Sequence, residues 1–287
     1  MKKILVIGAR GKTGQHVVTE LVLRGAAVLA ASRTPEQFDI HGVGCVRFDW
    51  NDVSTWLPAL ENVDGVYLVK PQSGQVVEIV TRFLALMKTV GTIRLVMLSE
   101  CAAQTRSDDI TERQVEIAVE ASGLEWTILR PNWYMEDIVD GVFFGAMIRN
   151  KRTIVMTTGG ASIAWVDTRD VANVAAEVLY SGGLPSQALE LTGPEALTLD
   201  QLAERISAVT GDRVQAIEES VTQAEARMRS DGFDDDFVAY ITRISQSIIA
   251  GDTAMVTNDV ERITGYPPRT IAAFLSENAA LLQPSTR

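Results

Sequence analysis

Three glycines spaced three apart, Gly8, Gly11 and Gly14, follow directly on the short apolar run Ile4-Leu5-Val6-Ile7 and precede a segment of helical apolar spacing. The run is too short for a helix, so the order reads as strand, glycine turn and helix start. A turn of this kind lets a pyrophosphate approach the backbone closely while the first amides of the following helix point at it. In such a turn Gly8 lets the chain leave the strand, Gly11 admits the phosphate, and Gly14 lets the helix pack on the strand. The first gap is one residue wider than in the Gly-x-Gly-x-x-Gly fingerprint, so the surroundings must carry the reading.

Those surroundings alternate. Val17, Val18, Leu21 and Val22 recur at helical spacing and stop at Arg24-Gly25. Short apolar runs then read as strands at 26–31, 45–48, 64–69, 94–98 and 126–129, with helical spacing over 76–90 and 110–121. Pro35 is placed to open a further helix. Strands alternating with helices imply an α/β fold, a doubly wound parallel (Rossmann) sheet with right-handed crossovers and helices on both faces.

Beyond Pro131 the pattern changes. Residues 133–148 are apolar and aromatic, 154–156 suit a short strand, and Asp167-Thr168-Arg169-Asp170 precedes a helix. Thr198 to Gln201 has the form of a capping box ahead of a helix ending near Gly211, and Ser220 to Gln223 repeats it. Residues 218–249 read as helical, polar and acidic; Asp234, Asp235 and Asp236 fit a solvated helix start better than a metal site, since no His or Cys accompanies them. The expected division is a nucleotide-binding domain over 1–182, with 135–152 contributing to a substrate cleft, and a smaller, mainly helical substrate-binding cap over 183–287.

Composition narrows the partners. A chain of 287 residues with 46% hydrophobic content can bury a large core without staples. A formal charge of −11 argues against nucleic acid as a ligand, because phosphate-backbone binders need clustered Lys and Arg. Cys45 and Cys101 lie far apart in sequence, and together with the lack of a signal-peptide core or an apolar membrane span they point to a cytoplasmic protein. His16 and His41 give no basis for an acid catalyst or a metal centre. The expected partner is a small-molecule substrate, with no membrane; a homodimer stays open.

Ligands of such sheets bind beyond the carboxyl ends of the strands. After the second strand stands Arg33, with no acidic residue between Gly25 and Thr34. An acidic residue there would bond a ribose 2′-hydroxyl, whereas an arginine accommodates a 2′-phosphate. With Arg10 and Lys12 in the turn beside Thr13, the adenosine end offers three cations, so NADP(H) is the expected cofactor. The weaker alternative for Arg33 is an ordinary surface arginine, which Glu36 could pair. Asp49 and Trp50 close the third strand and would approach the adenine; Val69, Lys70, Pro71, Ser99, Glu100 and Pro131 close the next three and would surround the nicotinamide. Asn132, Trp133 and Tyr134 follow as substrate candidates, because flat aromatic surfaces hold planar or cationic molecules. Core packing accounts for Trp133 and Tyr134 as readily, and more readily for Phe143, Phe144, Trp165 and Phe237.

The glycine turn, Arg33, the run Ile128-Leu129-Arg130-Pro131-Asn132-Trp133-Tyr134-Met135-Glu136 and the segment Val166-Asp167-x-x-Asp170-Val171-Ala172 together resemble the NmrA-like branch of the atypical short-chain dehydrogenases, over essentially the whole chain. Within the branch the layout is similar to bacterial NAD(P)H:quinone oxidoreductases and triphenylmethane dye reductases. The Trp133 to Glu136 stretch is similar to fungal reductases of ergot-alkaloid iminium intermediates. The resemblance implies a Rossmann fold, a nicotinamide cofactor and reductase chemistry.

One departure limits that chemistry. Ketone-reducing members use a Tyr-x-x-x-Lys pair, in which the cation lowers the tyrosine pKa for proton donation. None of Tyr67, Tyr134, Tyr180, Tyr240 and Tyr266 is followed four residues later by Lys. The expected activity is therefore NADPH-dependent hydride transfer to a conjugated or cationic acceptor, an iminium, imine or quinone, with Tyr134 the one candidate proton donor. The alternative is a non-catalytic, NADP(H)-sensing regulator of the NmrA type.

Overall fold

The computed structural model describes residues 1–35, 42–141, 144–182 and 184–284. In chain order the elements are β1 (Lys3–Val6), α1 (Gly14–Leu23), β2 (Ala27–Ser32), β3 (Gly44–Arg47), α2 (Trp56–Ala59), β4 (Gly65–Val69), α3 (Val76–Val90), β5 (Arg94–Leu98), α4 (Thr111–Glu120) and β6 (Glu125–Pro131). Then come α5 (Glu136–Val139), α6 (Gly145–Lys151), β7 (Thr153–Met156), α7 (Thr168–Ser181), β8 (Gln187–Leu191), α8 (Leu199–Thr210), β9 (Gln215–Glu218), α9 (Val221–Ser230), α10 (Asp235–Ile249), α11 (Asp259–Thr264) and α12 (Ile271–Asn278). Pro35 stands at the edge of the described residues, and the helix expected to follow it, like Glu36, His41 and Phe143, lies outside them.

The chain forms two compact units. The first comprises 1–131, 168–191 and 259–266, and the second 132–167, 192–258 and 267–287. The division is therefore interleaved and does not fall at residue 182. The reason lies in β8 and α11. Gln187-Ala188-Leu189-Glu190-Leu191 buries Leu189 and Leu191 and pairs in parallel with β6, which draws the chain back to the sheet after residue 182, and α11 packs against α7 and β8.

In the first unit the sheet is seven-stranded and parallel, ordered β3-β2-β1-β4-β5-β6-β8. Leu5 and Ile7 from the first strand segment join Leu68, Met97, Phe83 and Val115 in one core cluster, which places α3 and α4 on that face. Side chains alternate across a strand, so the buried Ile4 and Val6 point to the other face, where α1 and α7 pack on each other. Burial on both faces is why these strands read as continuous apolar runs rather than alternating ones. The order reverses between β1 and β4, which defines the crevice at their carboxyl ends as the topological switch point.

In the second unit β7 and β9 form a two-stranded parallel sheet, and α8 packs on both strands. Both capping boxes are present: the Thr198 and Ser220 hydroxyls accept from the backbone amides of Gln201 and Gln223, which reach back in turn. The segment expected to be helical over 218–249 is two helices. Gly232, with φ near +89°, turns the chain after α9, and Asp234 caps α10 by accepting from the Phe237 amide at 2.8 Å. Asp235 and Asp236 sit in the first turn of α10, where they complement its dipole. No helix among the described residues is long and apolar enough to cross a membrane.

Candidate functional site

The glycine turn lies at the carboxyl end of β1, beside β4. Gly8 has φ near +79°, in the left-handed region that favours glycine, and a Cβ there would stand 2.9 Å from Cγ2 of Val69. The Gly11 amide closes the turn on the Gly8 carbonyl at 2.8 Å. A Cβ on Gly14 would meet that same carbonyl oxygen at 2.1 Å. Gly14 thus lets the start of α1 pack directly on the turn that follows the strand, and α1 also contacts β1. A Cβ on Gly11 would find only the Gly8 oxygen, at 3.2 Å, so the turn is open where a phosphate would approach. These glycines make a cradle that side chains would fill, and it fits a dinucleotide pyrophosphate.

The residues of the turn separate by direction. Thr13 is buried and its hydroxyl lies 2.8 Å from that of Tyr67, whose phenol burial pushes above its ordinary range. Its side chain therefore faces inward, and only its backbone is left for a ligand. Arg10 is exposed and reaches across the sheet edge, donating from Nη1 to the Thr34 hydroxyl at 3.2 Å and from Nη2 to the Thr34 carbonyl at 3.1 Å. Arg33, next to Thr34, is exposed, and Lys12 is half-buried. Two of the three expected cations are thereby gathered at the carboxyl ends of β1 and β2.

Asp49 and Trp50 are built into the loop after β3. The Asp49 carbonyl accepts from the Trp56 indole at 3.0 Å, and its carboxylate accepts from the Asn51 amide at 3.0 Å. Trp50 packs edge to face on Phe48, Phe83 and Trp56, with ring centroids 5.0, 5.1 and 5.9 Å away. The expected adenine contact of Trp50 is thus limited to what this aromatic cluster leaves half-exposed.

Val69, Lys70 and Pro71 close β4 beside the turn and are half-exposed. Ser99 and Glu100 follow β5, and their side chains are engaged within the protein. The Ser99 hydroxyl donates to Glu116 at 2.6 Å, and the Glu100 carboxylate is ion-paired with Arg106. Glu116, on α4 and fully buried, also accepts from Arg130 Nε at 3.0 Å and Nη2 at 2.7 Å and from Arg113 Nη1 at 3.1 Å. Arg130 donates further to Glu190 at 3.1 Å. Burial works against the Arg130 cation, but the bonds to Glu116 and then Glu190 outweigh it and hold the guanidinium above its usual range. Burial pushes the Glu190 carboxyl up, against the pull of Arg130. The network was legible only as a string of charged residues on a helix, since the sequence does not announce that Glu116 is buried. Pro131 ends β6 and is buried.

The second unit holds an apolar cavity of about 120 Å³. Trp133, Phe144 and Phe237, all singled out from the sequence, line it together with Met147, Met156 and Met228. Trp165 does not; it is buried behind them, 5.7 Å from Trp133 and 6.2 Å from Phe144 between ring centroids. Asn132 and Tyr134 do not line it either. Asn132 is buried and structural, donating to the Thr253 carbonyl at 2.8 Å and accepting from the Trp133 amide at 2.8 Å. Tyr134 is held through its backbone bridge to Val166. The one charged lining residue, Arg227, is matched by Glu219, which takes its Nε and Nη2 at 3.0 Å each. The methionines carried no signal in the sequence, because thioethers at helical spacing read as ordinary core.

A family model described as NAD(P)H-binding matches residues 8–181. An NAD(P)H azoreductase of Xenophilus azovorans is 28% identical, with 96% of this chain and 98% of that protein covered. An agroclavine dehydrogenase of Claviceps fusiformis is also 28% identical, over 96% of each chain. Among solved structures, an NADPH-dependent quinone oxidoreductase of Escherichia coli superposes with a TM-score of 0.83 over 96% of this chain and 99% of that one, at 21% identity, a likeness of fold.

Proposed function

Because this chain belongs to the NAD(P)H-binding family, we propose that it is an oxidoreductase that prefers NADPH and transfers hydride to a small conjugated or cationic acceptor, an iminium, imine or quinone, with no Tyr-x-x-x-Lys pair. The observation that carries the reading is the glycine turn at the β1/β4 switch point, which leaves room at Gly11 for a phosphate, with Arg10 laid onto Thr34 beside Arg33. In this reading the turn amides hold the pyrophosphate, and Arg10 and Arg33 hold the 2′-phosphate. When bound, the nicotinamide supplies the hydride. The aromatic and sulfur-rich cavity of the second unit takes the acceptor, with Trp133 and Phe237 offering flat faces for stacking. An acceptor that is already electron-poor needs orientation more than acid catalysis. The names of the azoreductase and agroclavine dehydrogenase relatives favour catalysis over sensing.

Two measurements test it. NADPH oxidation followed across a panel of quinones and cyclic iminium ions is expected to show turnover, with KM for the acceptor raised about 3- to 10-fold in Phe237→Leu, the range set by one aromatic contact. A flat signal across the whole panel rejects the catalytic reading. For the cofactor, Arg33→Ala is expected to weaken NADPH binding by ~10-fold or more, the worth of one charge-assisted hydrogen bond, and to leave NADH binding unchanged. Equal loss for both cofactors removes the argument for a 2′-phosphate site.

A further inference from the structure

We propose that Ser99 is a hydrogen-bond acceptor for the carboxamide N–H of the bound nicotinamide, its own proton being committed to Glu116; the inference rests on the cofactor reading above. Glu116 has four incoming donors. Its Oε1 takes the Ser99 hydroxyl at 2.6 Å and Arg130 Nε at 3.0 Å, and its Oε2 takes Arg130 Nη2 at 2.7 Å and Arg113 Nη1 at 3.1 Å. A carboxylate between two guanidinium groups accepts only, so in the contact with Ser99 the hydroxyl must be the donor. The four bonds fill the lone-pair capacity of the carboxylate, and Glu116 has none left with which to act as a base.

Ser99 is half-exposed. A ligand group that reaches the Ser99 oxygen therefore meets lone pairs and no proton, and has to be a donor. Its place in the sheet says which donor that is. Arg10 and Arg33 stand at the carboxyl ends of β1 and β2, which assigns the adenosine half to that side of the switch point. The nicotinamide half then falls to β4, β5 and β6, and Ser99 follows the last residue of β5. The ring nitrogen of a nicotinamide carries the ribose in both redox states, so the carboxamide holds the only N–H donors of that ring; the ribose hydroxyls are the other donors of that half, and the comparison below separates them from the carboxamide. The same geometry denies Ser99 a role as donor to an oxygen of the acceptor undergoing reduction.

The test compares NADP+ with its acetylpyridine analogue, in which a methyl group replaces the carboxamide nitrogen. Both ligands are titrated calorimetrically into the full-length protein and its variants. The wild type is expected to prefer NADP+ by about 3- to 10-fold, the range of one hydrogen bond. That preference disappears in Ser99→Ala and persists in Ser99→Thr, which keeps the hydroxyl. The same preference in Ser99→Ala as in the wild type overturns the inference, whatever the turnover of either protein. Failure of the wild type to bind either ligand is a different result, and it overturns the cofactor reading itself.

Discussion

Alanine in place of Gly14 is expected to weaken NADPH binding by ~10- to 100-fold and to lower the thermal midpoint together with it. The added Cβ would lie 2.1 Å from the Gly8 oxygen, 2.8 Å from the Gly8 carbonyl carbon and 3.1 Å from the Ala9 Cα. All three are backbone atoms, so no flexible side chain can give way and the turn itself must open. Overpacking of this kind costs about 1–3 kcal/mol, and a displaced turn would lose the amides proposed to hold the pyrophosphate. Gly11→Ala separates the two effects. Its Cβ meets one backbone oxygen at 3.2 Å and otherwise open space, so the fold is expected to keep its midpoint while NADPH affinity falls. Gly25→Ala is the control, since its Cβ meets nothing within 4 Å and its strain, from a φ near +78°, lies after the end of α1. Melting curves and cofactor titrations on the three variants decide the matter. If Gly11→Ala binds NADPH as the wild type does, the phosphate does not approach the turn there.

The contrast between Gly14 and Gly11 also marks where sequence reading succeeds. Spacing and surroundings together located the turn, because an apolar run that ends in glycines before a helical period has few other solutions. Residues 76–90 and 94–98 likewise coincide with α3 and β5, where the apolar pattern is long or sharply bounded. β8 was missed: its five residues, with Ala188 and Leu189 adjacent, show no period of two and lie in a stretch whose polar flanks read as part of a cap, and only pairing with β6 makes them a strand. Lost for the same reason was the second unit's interleaved boundary, since tertiary pairing leaves no local mark. Among the site residues, Arg10 and Arg33 could be placed from the end of a strand. Asn132 could not, because its hydrogen bond to Thr253 spans 121 residues. Trp133, Phe144 and Phe237 were legible as aromatic, but only the fold brings them to one cavity and leaves Trp165 behind it.

Removal of the Glu116 carboxylate tests the charged network at the ends of β5 and β6, and Glu116→Leu is expected to destabilise the protein by about 3–5 kcal/mol. The cost has two sources. Arg130 and Arg113 lose their shared partner in a place where water reaches little of either side chain, at 10% and 18% exposure. Ser99 and the Arg130 Nε and Nη2 groups lose their acceptor as well, and an unmet buried donor costs its full desolvation. Arg113 keeps Glu120 at 2.7 Å and Arg130 keeps Glu190 at 3.1 Å, so the loss stays at the scale of one broken buried pair. Replacing both partners, Glu116→Leu with Arg130→Met, should be milder than Glu116→Leu alone, because no uncompensated guanidinium is then left at that position. Denaturant unfolding of the two single variants and the double variant gives the coupling directly. Additive losses would mean that the pair is solvated and contributes little, and the buried carboxylate would then be no fixed anchor for the Ser99 proton.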